Sequence, residues 1–308
     1  MTGITQSNSQ RYHFDIYAIL EGAQEMYFGH EVQVNVNQVE RVKVERTLVD
    51  DAGNFVTDES GNPKSEIIQK CYLSPTKRRG VERRALLWAP HKDGKLLGDA
   101  QDCGIPKTCA KETCPICYVY GALEAGKNTL IGRVTHGGGV AVQPLDAEEK
   151  QRAMHPSDIV RGKGGETPTP FRREYNEPGL FYPVYNHALS VSENEFVPVA
   201  YAFLDSLARI GAGNPKGARL AEKNGSGTPL LVVDRYLVPK GKRPVVSPHE
   251  TSGSGAVDYF VKQAEAVRGN ALQFGGSSEG EMFSRWTGDE ALEKLETWSE
   301  TFVRTHLQ

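Results

Sequence analysis

Cys103, Cys109, Cys114 and Cys117 carry the strongest chemical signal, because four of the chain's five cysteines fall there with the spacing C-x5-C-x4-C-x2-C. The closing Cys-Pro-Ile-Cys lets two thiolates turn back onto one ion, as a tetrahedral zinc site requires. With four thiolates ligating, such a site is closed and structural, since no position is left for water. The competing reading is four reduced, partly buried cysteines, although short spacings of this kind seldom arise by chance in a cytosolic chain. Should one cysteine stay out, His91 upstream or His136 downstream is the nearest substitute. Cys71 stands apart and is expected to be a small buried hydrophobe.

A second candidate is basic. In SPTKRRGVERR, Ser74 to Arg84, the cations Lys77, Arg78 and Arg79 stand just before an expected helix N-terminus, with Arg83 and Arg84 in its first turns. Added to the free N–H groups of a helix start, they make an anion site suited to phosphate, while the plainer alternative is a solvated basic face. Glycine-rich stretches at Thr135–Val142, Ile210–Leu220, Ser252–Gly255 and Gly275–Gly280 allow close backbone approach to a ligand but equally make turns. GAGNPKG is neither a dinucleotide fingerprint nor a P-loop, so nucleotide-enzyme readings fail; Lys216 and Arg219 beside it suit a phosphate-backbone contact. No G-x-S-x-G, no H-E-x-x-H and no supported Cys-His pair occurs, and His13, His30, His136 and His187 are scattered. Catalysis has little to stand on.

The elements that must position these groups follow from periodicity. Tyr12 to Leu20 alternates so that Phe14, Ile16, Ala18 and Leu20 share one face of a strand. A second, bent strand runs through Val32, Val34, Val36, Val42 and Val44, and the Gly-, Asn- and Asp-rich Asp50 to Pro63 is a surface excursion or hairpin tip. Gly80 to Ala89 fits a short helix with Val81, Ala85 and Trp88 on one stripe. Strands are expected at Leu130 to Val134, Gly139 to Val142 and Leu180 to Val191, separated by a projecting insertion, Gln143 to Pro178, that lacks core periodicity. Val199 to Ile210 reads as a helix closed by Gly211, and Pro229 to Pro239 as a strand whose middle suits a sheet centre. Thr287 and Glu290 suggest a capping box for a last helix carrying Leu292, Leu295, Trp298 and Phe302. The order predicts an α+β fold, a ferredoxin-like βαββαβ core with large insertions and a zinc-binding segment.

With 308 residues, 38% hydrophobic and 24% charged, the chain can bury a sizeable core. Mean hydropathy of −0.47 and the lack of a basic, apolar leader predict a cytoplasmic protein with no membrane partner. A net charge of −3 rules out nucleic-acid affinity driven by bulk charge, so such binding must come from local basic patches.

Together the basic segment, the CPICYVYG knuckle, the GRVTHGGGVAV strand and the helix ending in IGAGNPKG resemble, in kind and order, the repeat-associated (RAMP) superfamily of CRISPR proteins. The CPIC segment also occurs in type III backbone subunits, whereas the longer cysteine cluster and the length look most like the type I-D Cascade backbone subunit, of the seventh Cas family. The resemblance covers about Tyr12 to Pro239. It implies one RNA-recognition-like domain over 1–308, with insertions at about 50–65, 91–121 (zinc-binding) and 143–178 (thumb) and a C-terminal helix at 284–308. It also implies partners: a guide (CRISPR) RNA, a target DNA or RNA strand, further copies of the chain in a head-to-tail filament, and other Cascade subunits.

Carried over by position, Arg161, Lys163, Arg172 and Arg173 of the thumb would meet phosphates, Phe171 or Tyr175 would stack on a base, and Lys77, Arg78, Arg79 and Arg84 would grip the guide. Type III relatives cleave target RNA with an aspartate in the loop after strand one. Here that loop reads EGAQEMYFGHE, with no Asp, so the expectation is a non-enzyme; Glu25 or an aspartate between Asp50 and Asp58 is the residual alternative for a metal-dependent ribonuclease. A stand-alone zinc-stabilised RNA-binding module is the third reading.

Overall fold

In a computed structural model of the chain, the structure describes residues 10–24, 26, 28, 30–33, 36–124, 128–145, 148–153, 170–211, 217–223, 225–271 and 282–308. The strands are β1 (Tyr12–Gly22), β2 (His30–Gln33), β3 (Val36–Val39), β4 (Arg41–Thr47), β5 (Ser65–Cys71), β6 (Ala122–Glu124), β7 (Asn128–Leu130), β8 (Val134–Gly138), β9 (Glu148–Ala153), β10 (Pro170–Tyr175), β11 (Phe181–Val191), β12 (Ala218–Leu220), β13 (Leu231–Tyr236) and β14 (Phe283–Thr287). The helices are α1 (Pro75–Leu87), α2 (Leu97–Ala100), α3 (Pro115–Tyr120), α4 (Glu193–Leu207), α5 (Gly253–Ala271) and α6 (Asp289–Phe302). This is a mixed fold of helices and sheets that are antiparallel at every pairing but one, and among the described residues no helix is long and apolar enough to cross a membrane.

β1 is the spine because it is apolar on both faces. Phe14, Ile16, Ala18 and Leu20 enter the larger core, as their alternation predicts, while Tyr17 and Ile19 enter a second core on the opposite face. A strand buried on both sides belongs in the middle of a sheet, and the order is β14-β13-β1-β11-β8, with β12 also pairing β1. The larger core is closed by α1, α4 and α6. Phe14 stacks on Phe196 of α4 at 4.2 Å, and the Trp298 ring of α6 meets both edge-on at 5.7 and 5.0 Å, each aromatic pair adding about 1 kcal/mol to the burial. The opposite core packs α5 through Ala256, Val257, Phe260 and Ala264.

Several expectations shift. The first helix begins at Pro75 rather than Gly80, since proline at the first helical position costs no hydrogen bond. Lys77, Arg78 and Arg79 therefore lie inside its first turns, and Trp88, expected on the apolar stripe, is 53% exposed beyond its end. The helix expected from Val199 starts at Glu193, where Ser192 and Glu195 form a capping box that outweighs the helix-interior Pro198. The last helix begins at Asp289, directly after Gly288, whose φ of 58° favours glycine. Gly139 to Val142 is not a strand but an extended segment joined to Tyr72 by one bridge, because Gly138 and Gly139 adopt φ of 73° and 92°.

The insertion Gln143 to Pro178 is more regular than its composition suggests. β9 and β10 pair antiparallel along its described part, and β10 runs parallel to β3 in the four-stranded sheet β2-β3-β10-β9. β4 and β5 form a separate two-stranded ribbon. At its tip the pattern D-x-x-G-N occurs twice, as Asp50–Asn54 and Asp58–Asn62. Each aspartate accepts two backbone N–H groups of its own loop, and each glycine takes a positive φ, 84° at Gly53 and 81° at Gly61.

Candidate metal centre and nucleic-acid interface

The four clustered cysteines converge. Cys103 follows α2, its N–H bonded to the Gly98 carbonyl at 2.8 Å, and a side chain at Gly98 would collide with the Cys103 carbonyl at that same distance. Cys114 caps α3, whose first residue is Pro115, and this turn brings Cys117 back beneath it. The four Sγ atoms lie within 4.8 Å of one another, with 3.4 Å between Cys103 and Cys117 and 3.6 Å between Cys109 and Cys117. Four thiolates around one zinc at its usual bond length stand about 3.8 Å apart, so the residues fit a tetrahedral ion.

Hydrogen bonds from Cys114 and Cys117 favour a thiolate at Cys103. The hydrogen bond to Cys103 holds the proton on Cys114 and pushes the Cys117 thiol up. A metal-free cluster would thus share protons that an ion displaces. Among the described residues neither histidine joins the cluster: His91 faces Asp93 at 3.6 Å, and His136 is bound to Glu82. Cys71 is buried, and burial pushes its thiol up to about 12, as befits an inert packing residue.

The cysteine segment is bolted to α1. Arg79 donates to the Tyr120 carbonyl and Arg83 Nη1 to the Gly121 carbonyl at 3.2 Å, so these two cations satisfy free carbonyls at the buried C-terminal end of α3. Arg78 departs furthest from the expected phosphate grip. It is 2% exposed and donates to Asn186 Oδ1 (3.1 Å), the Gly137 carbonyl (3.0 Å) and the Tyr185 carbonyl (2.9 Å), and burial pulls its guanidinium down to about 10. Beside it Glu82, 1% exposed, accepts from Tyr120 Oη (2.8 Å), His136 Nε2 (2.7 Å) and Asn186 Nδ2 (3.0 Å). This buried network ties α1, α3, β8 and β11 together.

Lys77 and Arg84 remain half-buried on α1, whose cap Ser74 makes no side-chain bond to the helix start and instead donates to Glu40 at 3.2 Å. Arg219 is exposed and held by Glu21 at 3.0 and 3.1 Å, a surface pair that a phosphate can replace at little cost. Lys216, Arg161 and Lys163 lie outside the described residues. The backbone of Phe171, Arg172 and Arg173 belongs to β10, and their side chains are likewise outside the described part. Tyr175 is 4% exposed against Val39 and Leu145, so in this arrangement its ring is a packing residue rather than a stacking platform.

The THGGG glycines serve packing as well. A Cβ on Gly138 would lie 2.4 Å from the Pro183 carbonyl oxygen and one on Gly139 2.0 Å from that of Leu73, so side chains are excluded by neighbouring backbone. Sequence reasoning passed over Asp15 and His187, which meet at 2.7 Å on the other face of the sheet. The available signal was an aspartate inside the otherwise apolar FDIYAIL run.

No family model matches the chain, and no curated protein matches it. Among solved structures it is similar to Csc2 of Thermofilum pendens, at 12% identity over 99% of this chain and 94% of that one, with a TM-score of 0.45. It is also similar to a chain of a CRISPR RNA-guided surveillance complex (12% identity, 89% and 87% covered, TM-score 0.42) and to one of such a complex described as pre-nicking (12%, 84% and 89%, 0.38).

Proposed function

We propose that the chain is a non-catalytic, guide-RNA-binding backbone subunit of a type I-D Cascade complex, several copies lining one guide and helping to hold the complementary strand. The observation that supports it best is the way the motifs of the resemblance meet: the CPICYVYG helix α3 docks through Arg79 and Arg83 onto the basic helix α1, and α1 lies on the strand of the THGGG run. The order β13-β1-β11-β8, antiparallel at every step with α1 and α4 between its strands, supports a ferredoxin-like core. Of the candidate cations whose side chains are described, Lys77, Arg84 and Arg219 are those not committed to a backbone carbonyl, and they are the ones assigned to phosphate. One zinc on the four cysteines would fix the 91–121 segment, and with it the end of α3 that Arg79 and Arg83 hold.

The carboxylates of Asp50 and Asp58 are engaged by their own loops, which hold both below the ordinary range, and this supports a turn-forming rather than a catalytic role. Purification from cells expressing a CRISPR array tests the proposal: a discrete short RNA should copurify, and incubation with complementary RNA and Mg²⁺ should give no cuts. Absence of such an RNA overturns the subunit reading, whereas regularly spaced cuts would establish the ribonuclease alternative.

A further inference from the structure

On the sheet face opposite α1 and α4, strand register sets five side chains in one row: Arg285 on β14, Asp234 on β13, Asp15 on β1, His187 on β11 and Thr135 on β8. Arg285 and Asp234 close a buried pair at 2.6 and 2.7 Å and satisfy each other. Asp15, 1% exposed, accepts from Tyr17 Oη at 2.6 Å, Tyr236 Oη at 3.3 Å and His187 Nδ1 at 2.7 Å. Burial works to raise its pKa, but the hydrogen bond and charge of His187, the Tyr17 hydroxyl and the nearby charge of Arg243 outweigh it and hold the carboxyl below its ordinary range.

An ionised carboxylate only accepts, so the hydrogen sits on Nδ1 and the open atom of the imidazole is Nε2. Among the described residues Nε2 has no hydrogen-bond partner, and the side chain is 21% exposed. α5 covers the Tyr17 and Ile19 end of this face but leaves the His187 end open, where Thr135 and Leu189 are exposed. The Tyr185 ring lies 5.0 Å from the imidazole, its position made possible by the missing side chain of Gly137, whose Cβ would fall 2.0 Å from that ring.

The titratable and charged groups facing His187 are His13, Asp15 and Tyr17 from β1, Tyr185 from β11, Asp234 and Tyr236 from β13, Arg285 from β14 and the exposed Arg243 after β13. Both carboxylates are already engaged, so among the described residues a metal at Nε2 would find a single ligand. An anion would find a fixed N–H donor when the ring is protonated, with Arg243 as a second cation on the same face.

We propose that this open strip is a contact site for the phosphodiester backbone of a single nucleic-acid strand, with His187 as the donor to phosphate, Asp15 as its positioning residue and Tyr185 as the adjoining surface for a base. That the anion belongs to a nucleic acid rests on the function proposed above. The test uses the full chain and a labelled oligouridine RNA, with binding measured across salt concentrations at about pH 6 and about pH 8, the range over which histidine changes charge.

The wild-type protein should bind several-fold tighter at the lower pH, beyond any pH effect in His187→Gln, and at that pH the variant should lose about 0.7 from the slope of log K against log salt. Equal pH dependence and equal slope overturn this site and leave the RNA-binding reading standing. A wild-type protein that binds no RNA at either pH overturns both. Should the variant unfold, the Nε2 nitrogen resonance of His187 in the wild-type protein decides: it should shift on RNA addition, and an unmoved resonance overturns the proposal.

Discussion

Glu82→Gln removes one charge from the centre of the network beneath α1 while keeping the side chain's size. Glu82 receives three donors, Tyr120 Oη, His136 Nε2 and Asn186 Nδ2, and stands one turn from the buried Arg78. Glutamine offers one acceptor oxygen with two lone pairs, so at least one donor is left facing an N–H group, at about 1–3 kcal/mol. The guanidinium of Arg78 also loses its counter-charge; breaking a buried pair in this way costs about 3–5 kcal/mol in total. Against a typical stability of about 5–15 kcal/mol this is a large fraction, equivalent to roughly 10 °C in melting temperature.

Urea unfolding followed by tryptophan emission reads the loss directly, since Trp298 lies in the same core and a shifted midpoint at constant slope reports stability alone. The exposed Glu66, paired with Arg46 on the β4–β5 ribbon, is the control, and Glu66→Gln should stay within about 0.5 kcal/mol. Burial opposes ionisation of Glu82, yet the charge and hydrogen bond of His136 and the charge of Arg78 prevail and lower its pKa below the ordinary 4.5. A lowered carboxyl stabilises the fold above that value and loses the contribution as pH falls through the folded one, so the variant's stability should vary less with acid than that of the wild type. A loss under about 1 kcal/mol would refute the reasoning.

Carefully reduced, chelator-free protein should contain one zinc per chain, and Cys114→Ser or Cys117→Ser should lower both metal content and melting temperature; metal analysis without zinc sinks the site. Lys77→Ala with Arg84→Ala should weaken binding to unrelated RNA sequences alike and flatten the salt dependence by about 0.7 per lost contact, without a change in melting temperature. Arg78→Ala should do the reverse, lowering stability by about 3 kcal/mol through the orphaned Asn186, Gly137 and Tyr185 acceptors; calorimetry beside a binding titration separates the two. Lys70 is fully buried and donates to the carbonyls of Val142, Pro248 and Glu250, with burial pulling its pKa down to about 8. Because the unfolded chain then holds the proton more tightly, wild-type stability should rise between about pH 8 and 10.5, a rise that Lys70→Met should abolish in a pH series of melts.

The sequence announced its cysteine cluster because the spacing is local: four thiols within 15 residues have few ways not to meet. β1 was legible through its alternation, which placed Phe14, Ile16, Ala18 and Leu20 on one face, whereas the burial of Tyr17 and Ile19 on the other face depends on α5, far along the chain. What failed to show was long-range. Arg78 looks like its neighbours Lys77 and Arg79 in the chain, and only the arrival of Asn186 and Tyr185, more than 100 positions away, turns it into a core residue. The pairing of β10 with β3 likewise joins segments that have no common pattern, so the insertion looked irregular. Asp15 and His187 are 172 positions apart, and register alone makes them neighbours.

The twin loops at the end of the β4–β5 ribbon mark where the gene can be cut open. Each closes its own hydrogen bonds, and Gly53 and Gly61 have nothing within 4 Å of where a side chain would point. Lengthening a closed turn of this kind costs only the slow logarithm of loop closure. An affinity tag, a fluorophore-bearing peptide or a pair of new termini placed between Asp50 and Asn54 should leave both cores in place, so the molecule carries a ready handle for labelling without touching the cysteine cluster or the basic helix.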